Sequence, residues 1–140
     1  MNSVAQWLAE AQIDRLPLEC DGLTRVISTL MSRDGIEHAI HIGSLSIDGV
    51  GTIPLHWWIS LADGSVCDFR ARMWLGASDA VPHGVFSPQE QNGYSVLEIQ
   101  RSADIALHPV VFAILAERDL GAFPVYSSEL EPISDNDPGL

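Results

Sequence analysis

Lysine is absent from this chain. All seven basic residues are arginines, against nineteen aspartates and glutamates, so the formal net charge is −12. A surface of this charge repels phosphate backbones, and we therefore expect no binding to nucleic acid. Two interpretations of the acidity stay open: it keeps the protein in solution, or it presents a nucleic-acid-like field to a basic partner protein.

Long hydrophobic runs are absent as well. No apolar stretch approaches the roughly 20 residues that span a bilayer, and residues 1–10 lack the basic region of a signal peptide. We therefore expect a cytoplasmic protein that does not enter a membrane. Only two cysteines occur in 140 residues. In a reducing compartment neither of them requires a disulfide.

The length predicts one domain with one site. We expect this domain to cover residues 1–126. The acidic, turn-rich segment 127–140 is predicted to be a mobile tail.

Two amphipathic helices are predicted near the start of the chain. The first runs from Ser3 to about Gln12, and the second begins near Cys20 and is stopped by Gly35. A further helix begins at Pro109, a residue suited to a first helical turn. In the first two helices apolar residues recur every three or four positions, which indicates a buried stripe. The stripes are Val4, Trp7, Leu8 and Ala11, then Leu23, Val26, Ile27, Leu30 and Met31.

Four strands are predicted, over residues 37–47, 53–61, 65–72 and 94–101. The segment 73–93 contains several prolines and glycines and is predicted to be a long irregular loop, of a length that is often functional. These elements predict an α+β fold, with helices packed on one side of a mainly antiparallel sheet.

The turn between the second and third strands decides which side chains share a face. If Asp63 and Gly64 form a two-residue turn, His56 and Asp68 lie on opposite faces. If Ala62 to Gly64 form a three-residue loop with Gly64 left-handed, His56 and Asp68 become diagonal neighbours. The residues on the shared face are then His56, Trp58, Ser60, Asp68 and Arg70.

Cys20, His56 and Asp68 are the candidate catalytic residues. The order of a nucleophile at a helix start, a base on a strand and a carboxylate on the next strand is one way to assemble a thiol hydrolase. His56 would take the thiol proton, because the thiolate is the competent nucleophile. Asp68 would orient the imidazole, and the Cys20 backbone N–H would bind an oxyanion.

These motifs resemble the transglutaminase-like members of the papain-like cysteine hydrolase superfamily. The resemblance lies in a cysteine opening a helix at Cys20, the His-x-Trp start of the strand from His56, and the Val-Cys-Asp run that ends at Asp68. It covers roughly residues 15 to 72. The resemblance implies a minimal transglutaminase-like fold and acyl transfer from an amide through a thioester. Cys20 would be nucleophile, His56 general base and acid, and Asp68 the orienting carboxylate.

Other candidates are weaker. Trp58 could line the site, although for Trp57, Trp58 and Trp74 a place in the core is the leading interpretation. Arg70 could hold a substrate carboxylate, with a salt bridge to local acids as the favoured alternative. His83 could enter the site on the long loop, and Cys67 is expected to pack in the core.

No cofactor is expected. His38 and His41 could be combined with His56 into a metal site, but residues three apart on a strand point to opposite faces. The leading hypothesis is therefore a cofactor-free cysteine hydrolase or acyltransferase with a peptide or protein substrate. The alternative is a non-catalytic acidic protein, of the kind found in phages or mobile elements, that occupies a basic partner protein.

Overall fold

The computed structural model describes residues 3–127 and has the predicted α+β architecture, helices combined with an antiparallel sheet. The tail predicted over 127–140 lies almost wholly outside these residues. The helices are α1 (Ser3–Glu10), α2 (Cys20–Arg33), α3 (Ala71–Leu75) and α4 (Pro109–Ala116), and the strands are β1 (His38–Ile47), β2 (Gly51–Leu61), β3 (Val66–Asp68), β4 (Gly84–Phe86) and β5 (Tyr94–Ser102). Single 3-10 turns occupy Ile13–Arg15, Pro88–Glu90 and Leu120–Ala122.

The sheet has the strand order β4-β3-β2-β1-β5, and every pairing is antiparallel. Its main core lies between one sheet face and the helices α1, α2 and α4. The apolar stripes predicted for the first two helices are buried there, together with Ile40, Ile59 and Phe112. None of the helices within residues 3–127 is long and apolar enough to cross a membrane.

A smaller cluster covers the opposite face, where the prediction of helices on one side only was wrong. Residues of β1 alternate between faces, so Leu45 and Ile47 point away from Ile40. They pack with Ile53, Ala71 of α3 and Val81. This second layer matters for function because it encloses the face that carries His56.

The segment after β3 also differs from its prediction. The strand ends at Asp68 instead of continuing to residue 72, and the next residues form α3. Most residues of α3 are good helix formers, and Gly76 follows the helix with a φ of 91°. Within the segment 73–93, predicted to be irregular, β4 pairs with β3. Three residues give no clear strand pattern in the sequence, so only the long-range pairing reveals this strand.

The hairpin between β2 and β3 adopts the three-residue loop. The Leu61 N–H donates to the Ser65 carbonyl over 2.9 Å, and Gly64 has a φ of 88°. Ile59 then lies opposite Cys67. The same register aligns Trp58 with Asp68, which is the arrangement in which His56 and Asp68 can meet.

Gly43 of β1 is required where the neighbouring strand β5 bulges. A Cβ atom at this position would lie 2.1 Å from the Leu97 carbonyl oxygen and 2.9 Å from the Glu98 Cα. Both are backbone atoms, so the contact can be relieved only by moving a strand. We expect Gly43→Ala to lower the free energy of unfolding by about 3 kcal/mol in urea denaturation.

Gly121→Ala is the matched control, since no atom lies within 4 Å of the added methyl group. Its free energy of unfolding should stay within about 0.5 kcal/mol of the wild type. Equal stability of the two variants would contradict the close approach of β1 and β5.

Candidate active site

Cys20 is the first residue of α2, and it is partly buried. Glu19 precedes it in an extended conformation, and its carbonyl accepts the Leu23 N–H over 2.9 Å. As a residue of the first helical turn, Cys20 has a backbone N–H without an acceptor inside the helix. The helix end also carries a partial positive charge, which favours a thiolate or an oxyanion at this position.

His56 and Asp68 form a buried hydrogen-bonded pair. The His56 Nε2 lies 2.7 Å from the Asp68 Oδ2, and the two side chains are 0% and 2% exposed. The other carboxylate oxygen, Oδ1, accepts the backbone N–H of Arg70 over 3.0 Å. Both oxygens of Asp68 are therefore fixed, and the carboxylate holds the imidazole with Nε2 as the donor nitrogen.

The second ring nitrogen of His56 is left for Cys20. Nδ1 is buried and has no hydrogen-bond partner at normal distance and geometry in the described chain. The Cys20 thiol is still close enough to affect the ring. Burial alone would lower the pKa of His56, but the hydrogen bond and charge of Asp68, together with those of Cys20, raise it to about 9. The ring is thus protonated at neutral pH, next to a sulfur that can carry a negative charge.

The predicted triad residues therefore come together in one place, with Asp68 and Cys20 both acting on His56. The second cysteine behaves differently. Cys67 is 2% exposed, and burial, followed by the charge of Asp68, raises the pKa of its thiol. A buried neutral thiol is unreactive, so Cys67 packs in the core and leaves Cys20 as the accessible cysteine.

Trp58 holds His56 in place and does not line the opening. It is only 3% exposed. Its ring stacks on His56 with centroids 6.3 Å apart and on His41 with centroids 5.5 Å apart. His41 is itself bonded to Glu98 and, over 2.6 Å, to Ser60. Trp58 therefore does not line the site as considered from the sequence. Instead it packs in the interior against the ring of His56.

Arg70 is used by the protein itself and has no donor left for a substrate carboxylate. A guanidinium has five N–H donors. In Arg70 these donors bind the Asp14 carboxylate, three backbone carbonyls of the segment before α2 and one carbonyl next to Arg70 itself. The favoured alternative of a salt bridge agrees with the 2.6 Å contact to Asp14. The carbonyl acceptors are those of Asp14, Leu16, Leu18 and Phe69.

His83 does not contact the triad. Its Nε2 lies 2.9 Å from the Asp14 Oδ2, and its ring meets the edge of Phe69. It borders a broad depression beside Arg70, which also reaches Glu19. His83 is therefore near the approach to Cys20, and its assignment to substrate binding stays a prediction.

The opening directly above Cys20 is aromatic and acidic. Its lining consists of Cys20 with Glu19, Asp21, Leu55, Trp57 and Trp74. Trp74 is 59% exposed, so the interpretation of this side chain as part of the core was wrong. The short helix α3 presents it to solvent, and that helix was not predicted.

Tyr94 is a residue of the site that sequence reasoning missed. Its hydroxyl is buried without a hydrogen-bond partner in the described chain. Burial, and then the charge of Asp68, raise its pKa, so it remains a neutral donor near that carboxylate. Tyr94 begins β5, about 26 residues after Asp68, and only the sheet order brings it close. No local pattern could have shown this.

Comparisons of this chain with models of protein families, with curated proteins and with solved structures found no match. A search for metal sites within residues 3–127 also found no group of three His, Cys, Asp or Glu side chains arranged to hold an ion.

Arg70 joins the segment before Cys20 to the end of β3. Arg70→Lys keeps the positive charge but cannot reach acceptors on both sides, because an ammonium is a compact point donor. We expect the free energy of unfolding to fall by about 3 kcal/mol in urea denaturation. Arg101→Lys, at an exposed position of β5, should leave it within about 0.5 kcal/mol. If Arg70→Lys is as stable as the wild type, Arg70 does not hold the segment before Cys20 against the end of β3.

The His56–Asp68 pair makes stability depend on pH. Because the pKa of His56 rises from 6.5 to about 9, its contribution is complete below about pH 6.5 and is lost as the pH rises through about 9. Asp68→Asn should therefore be less stable than the wild type at pH 6, by up to about 3 kcal/mol. Urea denaturation should show this difference shrinking by pH 9.5.

Asp63→Asn provides the control for this pH dependence. Hydrogen bonds from Ser65 lower the pKa of Asp63, so the carboxylate is ionised throughout this range. Its stability difference from the wild type should be constant from pH 6 to 9.5. A similarly constant difference for Asp68→Asn would exclude a strongly raised His56 pKa.

Proposed function

We propose that this protein is a cysteine-dependent hydrolase or acyltransferase that acts on a peptide, isopeptide or related amide through a thioester. One observation carries the proposal: the buried ring of His56 is fixed at Nε2 by Asp68 and has its unpaired Nδ1 beside Cys20. A nucleophile, a base and a group that orients the base are the three components that nucleophilic catalysis requires.

The chemistry follows from these positions. The thiol proton of Cys20 resides on His56 Nδ1, which gives an imidazolium–thiolate pair, and the thiolate sulfur attacks the amide carbonyl carbon. The C–N bond then breaks, and the amine leaves with the proton from His56. A water or a second amine attacks the thioester carbonyl, transfers its proton to His56 and releases the Cys20 thiol. Water gives hydrolysis, and an amine gives acyl transfer.

The start of α2 supplies stabilisation for the oxyanion. The Cys20 backbone N–H is free of the helix hydrogen-bond pattern. A preorganised donor at a helix N-terminus stabilises negative charge on the carbonyl oxygen as the tetrahedral intermediate forms. The raised pKa of His56, about 9, suits this residue to act as a general acid. A protonated ring at neutral pH stabilises the thiolate and then donates its proton to the leaving amine.

The transglutaminase-like relationship is part of this proposal. It is supported by a cysteine at the N-terminus of a helix that packs on the sheet, with the histidine and aspartate on consecutive antiparallel strands. These are the positions on which the resemblance of the sequence depends.

The alternative, binding to a basic partner protein without catalysis, is favoured by a different observation. The outer surfaces of β5 and α4 expose large apolar side chains, among them Leu97, Ile99 and Ile114, on a chain of net charge −12. Exposed apolar side chains on a strongly acidic protein are typical of a surface that binds a basic partner. This binding would not require Cys20.

Alkylation by iodoacetamide tests the catalytic proposal. At pH 6 to 7 we expect Cys20 to react at least about tenfold faster than free N-acetylcysteine, because a neighbouring imidazolium stabilises the thiolate. His56→Ala and His56→Gln should each lose this advantage, and Asp68→Asn should lose most of it. The rate is followed by mass spectrometry of the modified peptide, with circular dichroism to confirm that each variant is folded.

Cys67 serves as the internal control, since its burial should keep it unmodified in the folded protein. Slow alkylation of Cys20 that does not depend on His56 would contradict the catalytic proposal and favour the binding protein.

A further inference from the structure

The opening above Cys20 carries information about the substrate. A substrate that reaches the thiol through this opening passes Glu19 and Asp21 and the side chains of Leu55, Trp57 and Trp74. The opening leads to Cys20, the cysteine that lies beside the buried and unpartnered Nδ1 of His56.

The two carboxylates at the opening are available to a ligand. Glu19 and Asp21 are both exposed and directly flank Cys20. Asp21 accepts the Gly22 N–H over 2.8 Å through Oδ1, and its second carboxylate oxygen has no hydrogen bond or ion pair within residues 3–127. Within residues 3–127, the Glu19 side chain takes part in no hydrogen bond or ion pair. Their field attracts cations and repels anions at the thiol.

The basic side chains near the opening are bonded to other groups of the protein. Arg70 and His83, which border the adjacent depression, are both paired with Asp14. Arg72 donates to the Val81 carbonyl over 2.8 Å. Arg25 lies over the Trp57 ring, 4.9 Å from its centroid. Arg70, Arg72 and His83 thus have partners that do not line the opening, whereas Arg25 contacts Trp57, which does.

The aromatic side supports the same preference. The contact of Arg25 with Trp57 is a cation–π interaction. Trp74, at 59% exposure, presents a second indole at the opening. An indole face beside exposed carboxylates is the combination that binds ammonium and guanidinium groups.

We propose that the substrate carries a positive charge next to the reacting carbonyl, as in a peptide or amide with a lysine, arginine or free amine at that position. This inference rests on the proposed function, since it concerns the substrate of the same cysteine. The carboxylates of Glu19 and Asp21 favour a positively charged substrate, and Trp74 contacts its cationic group.

Two methanethiosulfonate reagents of opposite charge test this inference without knowledge of the natural substrate. Each transfers its thioalkyl group to the Cys20 thiolate, forming a disulfide and releasing methanesulfinate. One carries a trimethylammonium group and the other a sulfonate. The measured quantity is the ratio of their second-order rates, divided by the same ratio for 2-mercaptoethanol, which has no charged groups beside its thiol.

We expect the normalised ratio to exceed about 10 at low salt and to fall at high salt, because exposed charges are screened. In Glu19→Gln/Asp21→Asn the ratio should drop at least threefold. Trp74→Ala should slow the cationic reagent more than the anionic one. Glu37→Gln is the matched control: this exposed carboxylate follows the far end of α2, about 20 Å from Cys20 by helix length, and its ratio should be unchanged.

The outcomes separate the two proposals. Slow reaction of Cys20 with both reagents, independent of His56, overturns the proposed function. Fast, His56-dependent reaction with a ratio near 1 overturns only the cationic substrate. A high ratio that Glu37→Gln lowers as much as Glu19→Gln/Asp21→Asn does also overturns it, since the net charge of the whole chain would then be the cause.

Discussion

The buried contact between His56 and Asp68 is the interaction on which the rest of the site depends. Placing an ionised carboxylate and an imidazolium out of water is costly unless each charge is paired and hydrogen-bonded. Asp68 meets this condition at both oxygens, through the His56 ring and the Arg70 backbone N–H. The pair requires the three-residue loop ending at Gly64, because a shift of one residue would move Asp68 to the other face. The loop length of the hairpin therefore decides whether His56 and Asp68 can form their hydrogen bond.

Arg70 extends this constraint to Cys20. Its backbone fixes Asp68, and its guanidinium binds the segment of chain that leads into α2, including the Leu18 carbonyl at 2.6 Å. One residue thus sets the position of Asp68 relative to the helix that begins with Cys20. Trp58 adds support from below by stacking on His56. Trp58 and Arg70, first considered for substrate binding, stabilise the site, and the opening above Cys20 is lined by Glu19, Asp21, Leu55, Trp57 and Trp74.

The contrast between the two faces of the sheet explains which predictions succeeded. On one face, α1 and α2 pack through long regular stripes, and their period in the sequence is sufficient to identify them. On the other, the covering layer consists of the five-residue helix α3 and the loop that contains Val81. Elements this short have no measurable period, and their positions depend on pairing partners far along the chain. Trp74 belongs to α3, and Tyr94 at the start of β5 packs against this layer. Their surroundings depend on these short elements, which is why Trp74 was assigned to the core and Tyr94 to no site.

The sequence by itself determined the fold class, the two main helices, the central hairpin and the three candidate residues Cys20, His56 and Asp68. It could do so because these features depend on local periodicity, turn chemistry and the alternation of side chains on a strand. Only the tertiary structure decided between the two hairpin registers, and only it located Tyr94 and Trp74 and gave Arg70 its role as a clamp. Those properties depend on burial and on contacts between distant segments, such as the approach of residues 14–18 to Arg70. A linear pattern contains no information on which distant groups will exclude water together.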